Sequence, residues 1–247
     1  MVFNLAILFL TALLAGLTVF FIPGLNLKRF KVVLSFSGAY LFSITVIHIL
    51  PEIFHEAEDF TLTGIFVLGG FFLQMILEYF SSGVEHGHIH IHDDGPHHSH
   101  IPVSLLVALC MHAFLEGTLL VHPSHSHGTS DTHTLLYGLI LHKIPEAFAL
   151  MSVLLAQMRK KYIALTLLLI FSAMSPLGLI ASNFFYYEAI AGSQFFTYLF
   201  ALVAGNFLYI STTIFFETSP TSHKFKANKL LVSVLGAVMA VMAEYFL

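Results

Sequence analysis

Two short stretches carry residue types that can do chemistry: HAFLEG, with His112 and Glu116, and HKIPEA, with His142 and Glu146. Within each, imidazole and carboxylate stand four residues apart, which on an α-helix puts them on one face, one turn above the other. Both stretches lie inside apolar runs. Ionisable groups at membrane depth are expensive, face the protein interior or a water-filled cavity, and mark a pathway or a binding site. A single His in such a helix is accounted for by an interhelical hydrogen bond. Two matched His/Glu pairs ask for more. Imidazole nitrogen and carboxylate oxygen together suit Zn²⁺, and the mixed set also accepts iron or manganese. The chemistry predicted is coordination of a divalent transition metal.

The elements that must position these pairs are membrane-spanning helices. Of 247 residues, 57% are hydrophobic and 10% charged, and the mean hydropathy is +0.86. A bilayer crossing takes about 20 apolar residues, and eight such runs are predicted near 2–22, 32–53, 62–82, 101–121, 134–156, 161–182, 194–217 and 230–247. The expected fold class is an all-α polytopic membrane protein, a single eight-helix transmembrane domain over residues 1–247. Little chain remains for a soluble catalytic domain. The first run lacks a basic start and a small-residue cleavage site, so it reads as a retained helix. Cys110 is the one cysteine, which excludes an intramolecular disulfide. At about 1.5 Å per residue, His112 falls roughly 16 Å into the fourth run and His142 roughly 12 Å into the fifth, both near the bilayer midplane.

Positive charge is distributed unevenly. Lys28, Arg29 and Lys31 follow the first run, Arg159, Lys160 and Lys161 the fifth, and Lys224, Lys226 and Lys229 the seventh, so nine of ten Lys and Arg residues share one side of an eight-span arrangement. The positive-inside rule makes that side cytoplasmic and turns both termini outward. The membrane expected is a cytoplasmic (inner) or plasma membrane.

Further imidazoles flank the central pairs. EHGHIHIHDDGPHHSH, after the third run, holds His86, His88, His90, His92, His97, His98 and His100. It forms a His-rich loop over about 83–100, on the cytoplasmic side, whose composition points to loose, exchangeable metal binding. The segment between the fourth and fifth runs adds His122, His125, His127 and His133. The second run closes in HILPE, where His48 and Glu52 are again four apart, and the loop after it carries His55, Glu56, Glu58 and Asp59. An acidic mouth of this kind raises the local concentration of cations. Pro145, between His142 and Glu146, and Pro176, in SAMSPLG, are expected to interrupt their helices, and Ser175 to bring a hydroxyl or a freed carbonyl to the site. AGNFLY in the seventh run, with Asn206 as a pathway residue, echoes GAYLF in the second at identical spacing. Those runs cross in opposite senses, which suggests an inverted repeat of spans 1–3 and 6–8 around spans 4–5.

HAFLEG, HKIPEA, HILPE, SPLG, AGNFLY and the His-rich loop, taken in this order, resemble the ZIP (Zrt/Irt-like) zinc and iron permeases over nearly the whole chain. The resemblance implies an eight-helix transporter, assembled as a homodimer in membrane lipid, that moves Zn²⁺, Fe²⁺ or similar ions into the cytoplasm. It also implies that His112, Glu116, His142 and Glu146 line the transport site. Zn²⁺ is the leading substrate, with Fe²⁺, Mn²⁺ and Cd²⁺ as alternatives, and no nucleic acid is expected. The chain departs from the family's two-metal pattern at Ala113, Lys143 and Ser175, which removes ligands for a second ion. One transport-site metal is therefore expected, with the flexible Lys143 carrying its ammonium to Glu116 or Glu146. The competing activity is that of an intramembrane zinc-dependent hydrolase. Against it, the chain has no HExxH helix.

Overall fold

Apolar runs that cannot reach water must satisfy their backbone polar groups internally, and in this chain they do so as helices. The structure, a computed structural model, describes residues 1–21, 27–81, 103–120, 130–158, 160–187, 193–217 and 223–246. Helix α1 spans Val2–Leu17 and ends in a 3₁₀ turn, Thr18–Phe20; α2 spans Leu27–Ile44. A π turn at Thr45–Ile49 joins α2 directly to α3, Leu50–His55, so the three form one continuous rod. Helices α4 (Phe60–Ser81), α5 (Val103–Thr118), α6 (Ser130–Gln157), α7 (Lys161–Tyr187), α8 (Ser193–Glu217) and α9 (His223–Phe246) follow. Among the described residues these make eight helical rods. Seven are long and apolar enough to cross a membrane. The other is α5, whose described 16 residues fall short of that length.

Contacts fix the directions of the rods. Lys161 lies over the Phe20 ring, and Leu168 packs at Gly16, so α1 and α7 run antiparallel. Phe36 meets Gly236 and His48 meets Glu244, so α9 runs parallel to the α2–α3 rod. The packing sorts the rods into two groups: α1, α5, α6 and α7 in one, and α2–α3, α4, α8 and α9 in the other. Contacts of α2 with α6 and of α4 with α5 join them.

Small residues set the closest approaches. A Cβ on Gly70 would sit 1.7 Å from the Leu202 carbonyl oxygen, and one on Gly205 would sit 1.8 Å from that of Val67, so α4 and α8 touch backbone to backbone. Helices α5 and α7 do the same through Gly117 and Gly178, each 2.0 Å from a carbonyl of the other helix by this measure. Association inside a bilayer relies on such packing, because lipid is as apolar as the helices.

Two expectations about helix breaks need correction. Pro145 and Pro176 lie inside unbroken α-helices. Each lacks an N–H and deprives a carbonyl one turn earlier of its helical partner, but packing against neighbouring helices lets membrane helices tolerate this. The irregularity lies instead in the second rod. Pro51 occupies the first turn of α3, and the turn ahead of it is the π turn that contains His48. The proline ring crowds the carbonyl four residues back, and a wider turn accommodates it. The His-rich stretch around 83–100 lies outside the described residues, as do His122, His125 and His127.

Gly70→Ala should lower the thermal unfolding temperature of the detergent-solubilised protein, by an overpacking cost of about 1–3 kcal/mol. Gly64→Ala, where an added Cβ meets nothing within 4 Å, should leave that temperature unchanged or raise it.

Candidate metal site

Helix α5 presents His112 and Glu116, one turn apart, toward the corresponding pair His142 and Glu146 on α6. Each of the four offers one ligand atom such that all four atoms lie within 4.8 Å of one another. All four side chains are buried, at 0% or 1% exposure. His112 Nε2 is 3.0 Å from Glu116 Oε1 and 3.9 Å from Glu146 Oε1, and His142 Nε2 is 3.6 Å from Glu116 Oε1. The two rings meet edge to face, with centroids 5.9 Å apart. Zinc bonds of about 2.0–2.1 Å at the tetrahedral angle separate ligand atoms by about 3.3 Å. The three closest of these contacts bracket that edge and the whole set lies within 4.8 Å, so the four atoms are placed to converge on an ion by drawing together. Among the described residues this is the one group of three or more His, Cys, Asp or Glu side chains so disposed.

Lys143 completes the centre. Its side chain is 1% exposed, so it does not reach for the membrane surface. The ammonium donates to Glu116 Oε2 in a short contact and to Glu146 Oε2 at 2.8 Å, and it lies over the Phe171 ring of α7, 5.2 Å from the centroid. Two buried carboxylates thus share one buried cation, with an aromatic face behind it. Each carboxylate divides its oxygens between roles. The Oε2 atoms face the ammonium, and the Oε1 atoms face the imidazoles.

Other predicted residues lie around this centre and not in it. Ser175 is buried on α7, but its hydroxyl donates to the Ala113 carbonyl at 2.8 Å, tying α7 to α5 behind the ligand pair. Ser182 does the same to the Thr118 carbonyl at 3.2 Å. Asn206 is fully buried on α8, in the other group of helices. His48 and Glu52 belong to that group too, and sequence reading missed the partner His48 has in Glu244 of α9, at 3.0 Å. With 196 residues between them, no local spacing announced that contact.

An all-helical, multi-span membrane protein with one buried His/Glu cluster belongs to the class of metal-handling membrane proteins. Comparison with family models narrows this: residues 85–243, more than half of the chain, match the model for the ZIP zinc transporter family. The chain is a member of the ZIP zinc transporter family. Comparison with curated proteins gives no matching relative. Membership also decides against the hydrolase, since ZIP proteins are transporters and not enzymes.

Removing Lys143 would leave the paired carboxylates buried without their cation. Lys143→Met should therefore destabilise the metal-free protein by about 3–5 kcal/mol, the usual cost of breaking a buried pair from one side. Thermal unfolding in chelator measures this, and Lys143→Arg should retain part of the stability.

Proposed function

We propose that this chain carries Zn²⁺, or the chemically similar Fe²⁺, Mn²⁺ or Cd²⁺, through the membrane into the cytoplasm. His112, Glu116, His142 and Glu146 take the ion as substrate. The observation that carries the reading is the convergence of two His/Glu pairs, from two helices, within 4.8 Å at full burial. A fully buried pair of carboxylates is a poor structural device and a good cation site.

The site holds one ion, and Lys143 stands where a second would be held. With both imidazoles neutral, the empty centre has two carboxylates against one ammonium and carries one net negative charge. A divalent ion turns this into one net positive charge. Without the ammonium, the same ion would leave the centre neutral and bind more tightly. Lys143 thus stabilises the empty state and weakens the loaded one, which favours release.

The wider arrangement rests on further observations. Residues 1–247 form one domain, with the His-rich loop near 83–100 as an accessory that binds metal loosely. Lys31, Lys160, Lys161 and Lys229 fall at the end of the bundle opposite Glu52, Glu56 and Glu244 by the direction of their helices. By the positive-inside rule this end is cytoplasmic and the termini face outward. An inverted repeat is supported by the packing: exchanging spans 1–3 with 6–8 and span 4 with span 5 converts the close pair α4·α8 into α2·α9, and α5·α7 into α1·α6. We assign the chain to a cytoplasmic or plasma membrane, as a homodimer.

In sealed vesicles, Glu146→Ala and Glu116→Ala should abolish Zn²⁺ uptake while yielding folded, correctly inserted protein. Wild-type uptake by either variant would remove the site assignment. Lys143→Asp should raise the bound metal at this site from one ion toward two per protomer, tighten binding and slow turnover. Metal counting with uptake on a chain whose loop histidines are replaced by Ser measures all three, and no change in any of them would reduce Lys143 to a structural role.

A further inference from the structure

A second constellation of metal-ligating side chains lies outside the buried centre. His48, in the π turn, is 8% exposed and stands between two carboxylates. Its Nδ1 is 3.0 Å from Glu244 Oε1, and its Nε2 is 3.5 Å from Glu52 Oε2. The two contacts differ in kind. An ionised carboxylate can only accept, so the short one to Glu244 calls for a proton on Nδ1. In the neutral ring, Nε2 then faces Glu52 Oε2 across 3.5 Å, a gap close to the tetrahedral ligand edge of about 3.3 Å. A divalent cation seated between Nε2 and Glu52 takes both as ligands, whereas a second proton on the ring makes the same contact an ion pair, and counting bound zinc separates the two. Metal-binding histidines commonly donate their other ring N–H to a carboxylate, which fixes the tautomer and orients the ring, and Glu244 occupies that place.

Glu52 also lines a pocket. This small space is walled by Ile49, Glu52, Ile53 and Glu56 on one side and by Leu119, Leu135, Thr197 and Phe200 on the others. Leu119 lies about one turn past Glu116 and Leu135 about two turns before His142, so the pocket sits over the same end of the two helices that hold the buried cluster. Glu56 follows Glu52 by one turn, its N–H donating to the Glu52 carbonyl at 3.1 Å. A metal ion at Glu52 would therefore stand in the wall of a small pocket shared by the second rod with residues next to α5 and on α6 and α8.

We propose that His48 and Glu52, with His48 oriented by Glu244, form a second metal station that takes Zn²⁺ or a similar divalent ion at the mouth of the route. The placement on the route rests on the transport reading above; the binding itself does not. Two protein ligands leave the remaining positions to water, so the station binds weakly and exchanges readily. A capture site on a pathway needs that property. The π turn is the element that makes it: it widens the helix at His48 and is the only such turn among the described residues.

The test compares the full chain with Glu52→Gln, His48→Gln and Glu244→Gln, all reconstituted in lipid, by counting bound Zn²⁺ and by measuring uptake across a range of Zn²⁺ concentrations. Glu52→Gln and His48→Gln should each lose one bound Zn²⁺ per chain and raise the half-saturating concentration about tenfold or more, with the maximal rate unchanged. Glu244→Gln, which acts through the His48 ring, should keep the ion but weaken it by about 10–100-fold. If the zinc count and half-saturation of Glu52→Gln match the unsubstituted chain, while the substitutions at His48 and Glu244 lower only thermal stability, then His48 is a tie between α9 and the second rod and the station is overturned. If the unsubstituted chain takes up no Zn²⁺ yet Glu52→Gln still loses one bound ion, the station stands and the transport reading fails.

Discussion

Two ionised carboxylates cannot stand side by side in a bilayer interior without a cation, and in this protein the cation is built into the chain. Lys143 touches both Glu116 and Glu146 and rests on Phe171. Much of the surrounding packing serves that contact. Helix α7 must approach α5 closely enough for Phe171 to back the ammonium that reaches across to Glu116. Ala113, Gly117 and Gly178 allow this by leaving the helix surfaces bare, and the Ser175 and Ser182 hydroxyls hold the approach by donating to carbonyls of α5. Larger residues at these positions would push the helices apart, and the ion pair would lose a side of its enclosure.

The candidate ligands all belong to one packing group, α1, α5, α6 and α7, while His48, Glu52, Asn206 and Glu244 belong to the other. The pocket takes its walls from both: Leu119 and Leu135 from the first, and Ile49, Glu52, Ile53, Glu56, Thr197 and Phe200 from the second. It is a feature of the seam. The four candidate ligands are gathered on two helices of one group, α5 and α6. On the proposed reading, Glu52 and Glu56 in the opposite wall meet the ion earlier, where weaker contacts suffice.

Local spacing made some of this legible in the sequence. An i, i+4 pair of His and Glu within an apolar run already implies a shared face and burial, so His112, Glu116, His142 and Glu146 were readable as a set. The rods themselves were readable from apolar length, within a few residues at most ends. Lys143 was readable only as far as its reach, because whether it would turn to the carboxylates depended on Phe171 and Glu116, which come from other helices. Pro145 and Pro176 were misread because a local rule about helix breaking gave way to tertiary support. Pro51 was passed over although it does shape its rod, through the π turn. Ser175 was expected to bring a hydroxyl or a freed carbonyl to the site, and its hydroxyl proton goes to the Ala113 carbonyl, a contact set by how closely α5 and α7 approach. Glu244, at the far end of the chain from His48, left no local trace at all.

On the proposed reading, a resident ammonium also explains how four ligands can be assembled before an ion arrives. Bare carboxylates held this close would repel one another, and the helices would have to separate or take up protons. A site that had to reassemble around each ion would spend binding free energy on that reordering. With Lys143 in place, the carboxylates are already drawn together, and their Oε1 atoms already face the imidazoles. The incoming ion therefore meets a formed site, and what it must overcome is repulsion from a nearby positive charge. That opposition lowers affinity without disturbing geometry. Fixed geometry favours selection by ligand type and spacing, while modest affinity favours departure, and a transporter needs both from the same four residues.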